Sequence, residues 1–292
     1  MELAIIAYRY SLSYNDIYKC AEREGMKLNN RLDKNYSIQS VHRAIGILKS
    51  FSNEKSSLTL TELNDMTGIS KPALQRILAT LVYEGFLQKD EYSKKYQLGL
   101  ELYFLGSLVQ KESSLLNAAL PVMQSIRDET GEAVTLNMIY NNKRRCIGSC
   151  ESKQALSALT LVGHESPLYA GASAKILLAY LSEEEIDKYL SGIKMEAITS
   201  NTITEINQIK DELQDIRSRG YAISYGERVK GTFSLSAPVF YPAGQAAAGI
   251  SIVIPTVRAE EFNLDQLIKL IISKTTELSN RLNQSNRVLE RQ

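Results

Sequence analysis

The sequence predicts an α+β chain: an N-terminal winged helix-turn-helix, a linker helix and a C-terminal α+β domain. Three observations carry this. Residues 58–99 hold two short helical patterns around a glycine turn, followed by a hairpin pattern of period two. Residues 99–116 form one apolar helical stretch. From residue 118 onward helical segments alternate with strand-like runs and close on three strands and a long helix.

The helix-turn-helix is legible residue by residue. Residues 40–51 give a first helix with Val41, Ala44, Ile45 and Leu48 along one side. Thr59 and Glu62 have capping-box spacing, and Leu60, Leu63 and Met66 form the apolar face behind them. Gly68 suits the left-handed residue that ends a helix, and Ile69 plugs the turn. Ser70 is an N-cap for the next helix, whose first turn tolerates Pro72. Leu74, Ile77, Leu78 and Leu81 make its buried stripe, leaving Lys71, Ala73, Gln75 and Arg76 outside. Such a short, polar, positive face is what a helix lying in a DNA major groove presents. Residues 86–88 and 96–98 read as a β-hairpin whose tip carries Lys94 and Lys95, placed for phosphate or the minor groove. Double-stranded DNA is therefore the expected partner of Ser70, Lys71, Ala73, Gln75, Arg76, Lys94 and Lys95. A helical packing module is the alternative; turn, polar face and wing arriving in order favour DNA.

Composition fits a folded two-domain chain and restrains the electrostatics. The 292 residues are 44% apolar and 23% charged, with a formal net charge of +1. Residues 40–98 carry eight Lys/Arg against six Asp/Glu, so phosphate binding must come from local placement rather than bulk charge. No run is long and apolar enough for a bilayer, no signal-peptide design opens the chain, and an odd three cysteines oppose a disulfide framework. The expected setting is cytoplasmic, with no membrane partner.

The remaining elements follow in order. Residues 1–35 show no helix or strand period and read as an arm; Met26 is an alternative start. The winged unit is expected over 36–98. The linker helix of 99–116 is apolar on more than one side through Leu98, Leu100, Leu102, Phe104, Leu105, Leu108 and Val109. It therefore needs a partner surface, expected to be the same helix of a second subunit together with the domain that follows; an ordinary core helix of a single fused domain is the alternative. The second domain is expected over 117–284. It has a helix over 121–130, strands over 133–140 and 145–151, a third strand over 155–161, and helices over 172–181 and from 182. A helix over 206–219, strands over 221–225, 232–239 and 247–254, a helix over 264–282 and a tail over 285–292 complete it. That succession suggests a GAF/PAS-like sensing domain.

Several stretches also resemble one family. Residues 37–44 (SIQSVHRA), the TGISKPALQRILATL run and the wing ending Tyr96-Gln97-Leu98-Gly99 are similar to the DNA-binding domain of IclR-type bacterial transcription regulators. In the second half, Pro167-Leu168-Tyr169-Ala170 leading into Ala174-Lys175, then Gly220-Tyr221-Ala222, Glu227, Gly231 and Ala237-Pro238, continue the resemblance, which covers roughly residues 37–283. It implies a homodimer or dimer of dimers on a palindromic operator. It further implies a small-molecule effector, expected to be a carboxylate, in a cup formed by Ala172, Ser173, Ser224, Ser234, Ser251 and Val253. Ala174 stands where the family usually has Gly, and Ser224 where an acidic residue is common; both bear on the ligand's polarity.

Other chemistry is thin. Cys146 and Cys150, four apart on one strand, are expected to share a face, too distant for an easy disulfide; a thiol redox sensor through this pair is the alternative function. Only His42 and His164 could join them, so neither a metal site nor a cofactor is expected. Gly163-His164-Glu165-Ser166 has residue types for acid–base work, but no nucleophile stands with a base. The chain is not expected to be an enzyme; one using His164 or Cys146 is the remoter alternative.

Overall fold

The fold is taken from a computed structural model that describes residues 38–52, 54–158, 160–241 and 246–289. The arm of residues 1–35, the alternative start at Met26, Ser37 and residues 290–292 of the tail lie outside the described residues. The described residues fall into two compact units that divide between Ser113 and Ser114.

The first unit contains α1 (Gln39–Leu48), β1 (Ser57–Leu58), α2 (Leu60–Thr67), α3 (Lys71–Tyr83), β2 (Leu87–Lys89), β3 (Tyr96–Leu98) and α4 (Leu100–Glu112). Its three-stranded sheet has the order β1-β3-β2, and Leu58 of β1 pairs with Tyr96. The capping box forms: the Glu62 amide donates to Thr59 Oγ1 at 3.2 Å, and the Thr59 amide to Glu62 Oε2 at 2.7 Å. Those bonds to Thr59 hold the Glu62 carboxyl below its usual pKa. Gly68 takes φ 66, the left-handed conformation that side chains resist. Ser70 has the extended backbone of an N-cap but makes no side-chain cap bond. Pro72 occupies the second helical position, so one of the two amides such a hydroxyl could receive is missing.

Two expectations about this core are corrected. On α1, Ile47 is fully buried, with Ala44 and Leu48 against the core, while Val41 and Ile45 are exposed. The helix carries two interleaved apolar stripes, and the sequence pattern fits both; Ile38, Val41 and Ile45 form the solvent-facing one. Met66 is likewise 46% exposed rather than packed behind α2.

The second unit runs α5 (Ser114–Thr130), β4 (Ala133–Tyr140), β5 (Lys143–Cys150), β6 (Glu165–Pro167), α6 (Ala172–Ala179), α7 (Glu183–Ser191), α8 (Ile206–Arg219), β7 (Ala222–Tyr225), β8 (Thr232–Phe240), β9 (Ala246–Pro255), α9 (Thr256–Ala259) and α10 (Leu264–Leu289). Its strands form one antiparallel six-stranded sheet of order β6-β5-β4-β9-β8-β7. One face packs on α5 and α10 through residues such as Leu136, Leu235, Ile250, Ile126 and Ile271. The other face carries α6, with α7 and α8 joined to it in a second apolar cluster around Ile176, Leu190 and Ile209.

Here, too, particular expectations yield. The helix expected over 99–116 is broken at Ser113, whose ψ of 104 leaves the helical region, and α5 begins at Ser114 with Pro121 inside it. Among the described residues of 155–161 no strand forms: Leu156 and Leu161 stay exposed, and β5 pairs instead with β6, setting Arg144 opposite Ser166. α10 continues to Leu289, through most of the expected tail. Cys146 and Cys150 do not share a face. A bulge opposite Leu136/Asn137 breaks the alternation, so Cys150, opposite Val134, joins the core under α5 while Cys146 stands opposite Asn137.

Gly249 sets how closely α6 lies on the sheet. A Cβ there would come within 2.9 Å of Ile176 Cγ2, tighter than real contacts allow. Gly249→Ala is expected to cost about 1–3 kcal/mol through overpacking, read as a lower midpoint in denaturant unfolding. An unchanged midpoint would show that α6 shifts freely.

Candidate functional site

The exposed side of α3 is built by its own burial pattern. Leu74, Leu78 and Leu81 point into the core, which leaves Ser70, Lys71, Gln75 and Arg76 exposed. Ala73 departs from the expected outer face: it is half-buried and packs against the core. The wing tip is ordered by Asp90, which receives the amide and hydroxyl of Ser93, both at 2.6 Å. Lys94 then takes a positive φ of 56 and lies 3.3 Å from Glu91, both exposed; Lys95 is half-buried. A groove of about 610 Å³ opens between α1 and the turn before α3, lined by Gln39, His42, Arg43, Ser50, Gly68 and Ser70. Sequence reasoning treated α1 as core alone and missed the polar residues this helix turns toward Ser70.

The cup residues are set by strand register, because partners directly opposite in an antiparallel sheet share a face. Ser224, Ser234 and Val253 form one row across β7, β8 and β9. The next row on that face is Ala222, Ser236, Ser251 and Thr135, and the one after it holds Pro238, Gly249, Asn137 and Cys146. α6 lies over the Gly249 row, which puts these rows on the face opposite α5 and α10. Ser224, Ser234, Ser251 and Val253 thus come together on one face. Ser173 sits in the first turn of α6, buried; the Ala172 methyl packs into the second apolar cluster, so only its backbone can serve a cup. Residues 172–174 are helix, not loop.

The sequence reading missed the polar network between these rows and β6. Ser236 Oγ donates to Ser251 Oγ at 2.6 Å, and Asn137 Nδ2 donates to Thr135 Oγ1 at 3.0 Å and to Ser251 Oγ at 3.3 Å. Arg144 is fully buried; its Nη1 donates to Asn137 Oδ1 and its Nε to Ser166 Oγ, both at 2.9 Å. Burial, then repulsion from Arg228, brings the Arg144 guanidinium down to about 9, still a cation at neutral pH. Burial raises the pKa of both the Cys146 and Cys150 thiols, away from the thiolate form.

A buried ion pair fixes the start of α6. Lys175 Nζ stands 2.7 Å from Glu227 Oε1, with side chains 2% and 8% exposed, and Glu227 Oε2 accepts the Gly171 amide at 3.0 Å. Gly171 holds φ 90 and ψ 152, a conformation essentially reserved for glycine. Lys175→Met alone is expected to cost about 3–5 kcal/mol by stranding a buried carboxylate, and adding Glu227→Leu should recover much of it. Chemical denaturation of both variants measures this; a double variant no more stable than the single one would show that the pair is not energetically coupled.

A winged helix-turn-helix with a polar outer face, followed by an α+β unit whose sheet gathers serines on one face, is the plan of a ligand-responsive transcription regulator. Similarity to known proteins says the same. Residues 40–91 match the IclR helix-turn-helix domain and residues 108–280 the bacterial transcriptional regulator IclR C-terminal domain. The chain belongs to the IclR family of transcription regulators. It is 34% identical to the HTH-type transcriptional regulator KipR of Bacillus subtilis (strain 168), over 84% of this chain and 97% of that protein. The crystal structure of an IclR regulator from Alicyclobacillus acidocaldarius superposes with a TM-score of 0.77 at 26% identity, covering 85% of this chain and all (100%) of that one. That of an IclR homologue from Microbacterium hydrocarbonoxydans, complexed with 4-hydroxybenzoate, gives 0.74 at 20% identity over 84% and 99% of the two chains. The relatives are regulators, repressors among them, and not enzymes, which sets aside an enzyme built on His164 or Cys146. Among the described residues no helix is long and apolar enough to cross a membrane.

Proposed function

We propose that this regulator binds a palindromic operator as a homodimer or dimer of dimers and releases or tightens it when a small carboxylate enters the cup. In this reading Ser70, Lys71, Gln75 and Arg76 of α3 enter the major groove, and Lys94 and Lys95 contact the backbone or minor groove. Ala73 contributes close approach only. The exposed apolar side chains of α4, Leu100, Tyr103, Phe104, Leu108 and Val109, support pairing with a second copy, since such a face is costly in water. The effector sits against Ser224, Ser234, Ser251 and Val253, with Ser173 and the backbone of Ala172 at the first turn of α6. The observation that carries this half is the register that gathers the three strand serines on one face. A homologue complexed with 4-hydroxybenzoate, a hydroxylated carboxylate, agrees with the ligand class.

Two variants test the two halves. With a duplex selected by the full-length protein from a random pool, Arg76→Ala should weaken binding by roughly 1–3 kcal/mol and relax preference at one base pair. Unchanged affinity and preference in both Arg76→Ala and Gln75→Ala would remove α3 from the groove. Ser234→Leu should leave ligand-free DNA affinity unchanged and abolish the ligand's effect on it, measured by fluorescence anisotropy. A variant that still responds would move the effector away from this face.

A further inference from the structure

Two guanidiniums meet at one end of the buried polar face without a counter-charge. Arg144 Nη2 lies 3.3 Å and Arg228 Nη1 3.2 Å from the same atom, His164 Nδ1. An imidazole nitrogen approached by two guanidiniums is their acceptor, so the ring here carries its proton on Nε2. Among the described residues no carboxylate lies within ion-pair distance of either arginine. The nearby acids are engaged elsewhere: Glu165 pairs with Arg145 and Lys143, and Glu227 holds Lys175 and the Gly171 amide. Glu212 is shared by Lys175 and Arg219.

Arg144 is fully buried, while Arg228 is half-buried and His164 exposed, so an anion from solvent can reach the point where the two like charges are held together. Burial lowers the pKa of both arginines, and the His164 ring brings no negative charge to offset them. The position suits the cup. Arg144 is anchored through Asn137 to Ser251 and so to the serine rows. Arg228 comes from the loop between β7 and β8, its Cβ 3.8 Å from where a Cβ on Gly171 would stand, at the start of α6.

We propose that Arg144 and Arg228 read the charge of the effector, a hydroxylated carboxylate whose anionic end replaces His164 Nδ1 as the acceptor shared by the two guanidiniums. Its hydroxyls are then met by Ser224 and Ser234. This rests on the reading of that sheet face as the effector cup. Arg144 stays fixed by Ser166 and Asn137, while the half-buried Arg228 closes on the anion.

The test is thermal unfolding of the full-length protein with sodium D-gluconate, D-glucose and sodium chloride, the salts at matched ionic strength. Gluconate should raise Tm above both controls, because a ligand bound only by the folded state stabilises it. Arg228→Gln should weaken the apparent affinity by about tenfold or more, as for losing a hydrogen bond to a charged group. Arg144→Gln together with Arg228→Gln should abolish the shift. If the double variant does not fold, Arg228→Gln alone decides. A shift of the same size in the arginine variants, or none in the wild type, overturns the proposal. Ser234→Leu separates it from its foundation: stabilisation by glucose that this variant removes would keep the cup and reject the anion. A gluconate shift that survives Ser234→Leu would put the arginines' anion outside the cup and reject the proposal as well.

Discussion

One sheet with two unlike buried faces underlies the ligand-binding unit. Against α5 and α10 the strands present only apolar side chains, and that face is an ordinary core. Under α6 the same strands bury Thr135, Asn137, Ser236, Ser251 and a guanidinium. Such groups are expensive away from water unless hydrogen-bonded. Each of the five is: among the described residues the one buried side-chain nitrogen or oxygen without a partner is Asn283 Oδ1, on α10. A fully satisfied buried network is rigid, and rigidity is what a site needs to discriminate among small ligands.

The start of α6 is tied to this face by charge rather than by hydroxyls. Lys175 would be stranded without Glu227, and Glu227 also takes the Gly171 amide that precedes the helix. Shifting one member therefore disturbs the other two. That makes the first turn of α6 and the loop bearing Arg228 one mechanical element.

How much of this was legible depended on which rule governed each residue. α8 was readable because one apolar stripe and Gly220, at φ 80, set its face and its end. β4 and β8 were readable because apolar and polar residues alternate along them, although helices cover both faces and bury successive residues. α1 misled because Val41 and Ile45 belong to a second stripe with the same spacing as the buried one, and period alone does not choose between them. The cysteine pair misled because a bulge is a two-strand event, invisible in one strand's sequence. Arg144 is the instructive miss. Lys143-Arg144-Arg145 reads as a solvated charge run, yet strand alternation turns its middle residue inward while its neighbours pair with Glu165 outside. The hydroxyl rows of the cup were found through resemblance; the arginines were not, since nothing in local pattern marks a strand arginine as buried.

The helix-turn-helix and the serine-lined sheet face belong to separate units, so regulation by the proposed effector requires a free energy that links them. Linkage is reciprocal: whatever factor a ligand applies to DNA affinity, DNA must apply to ligand affinity. The most direct measurement is a calorimetric titration of the cup ligand into full-length protein, free and saturated with its selected operator duplex. Two ligand affinities are expected, whose ratio equals the ratio of DNA affinities measured with and without ligand. Equal ligand affinities in the two titrations would contradict this linkage, and would leave a DNA-binding protein whose cup does not regulate it.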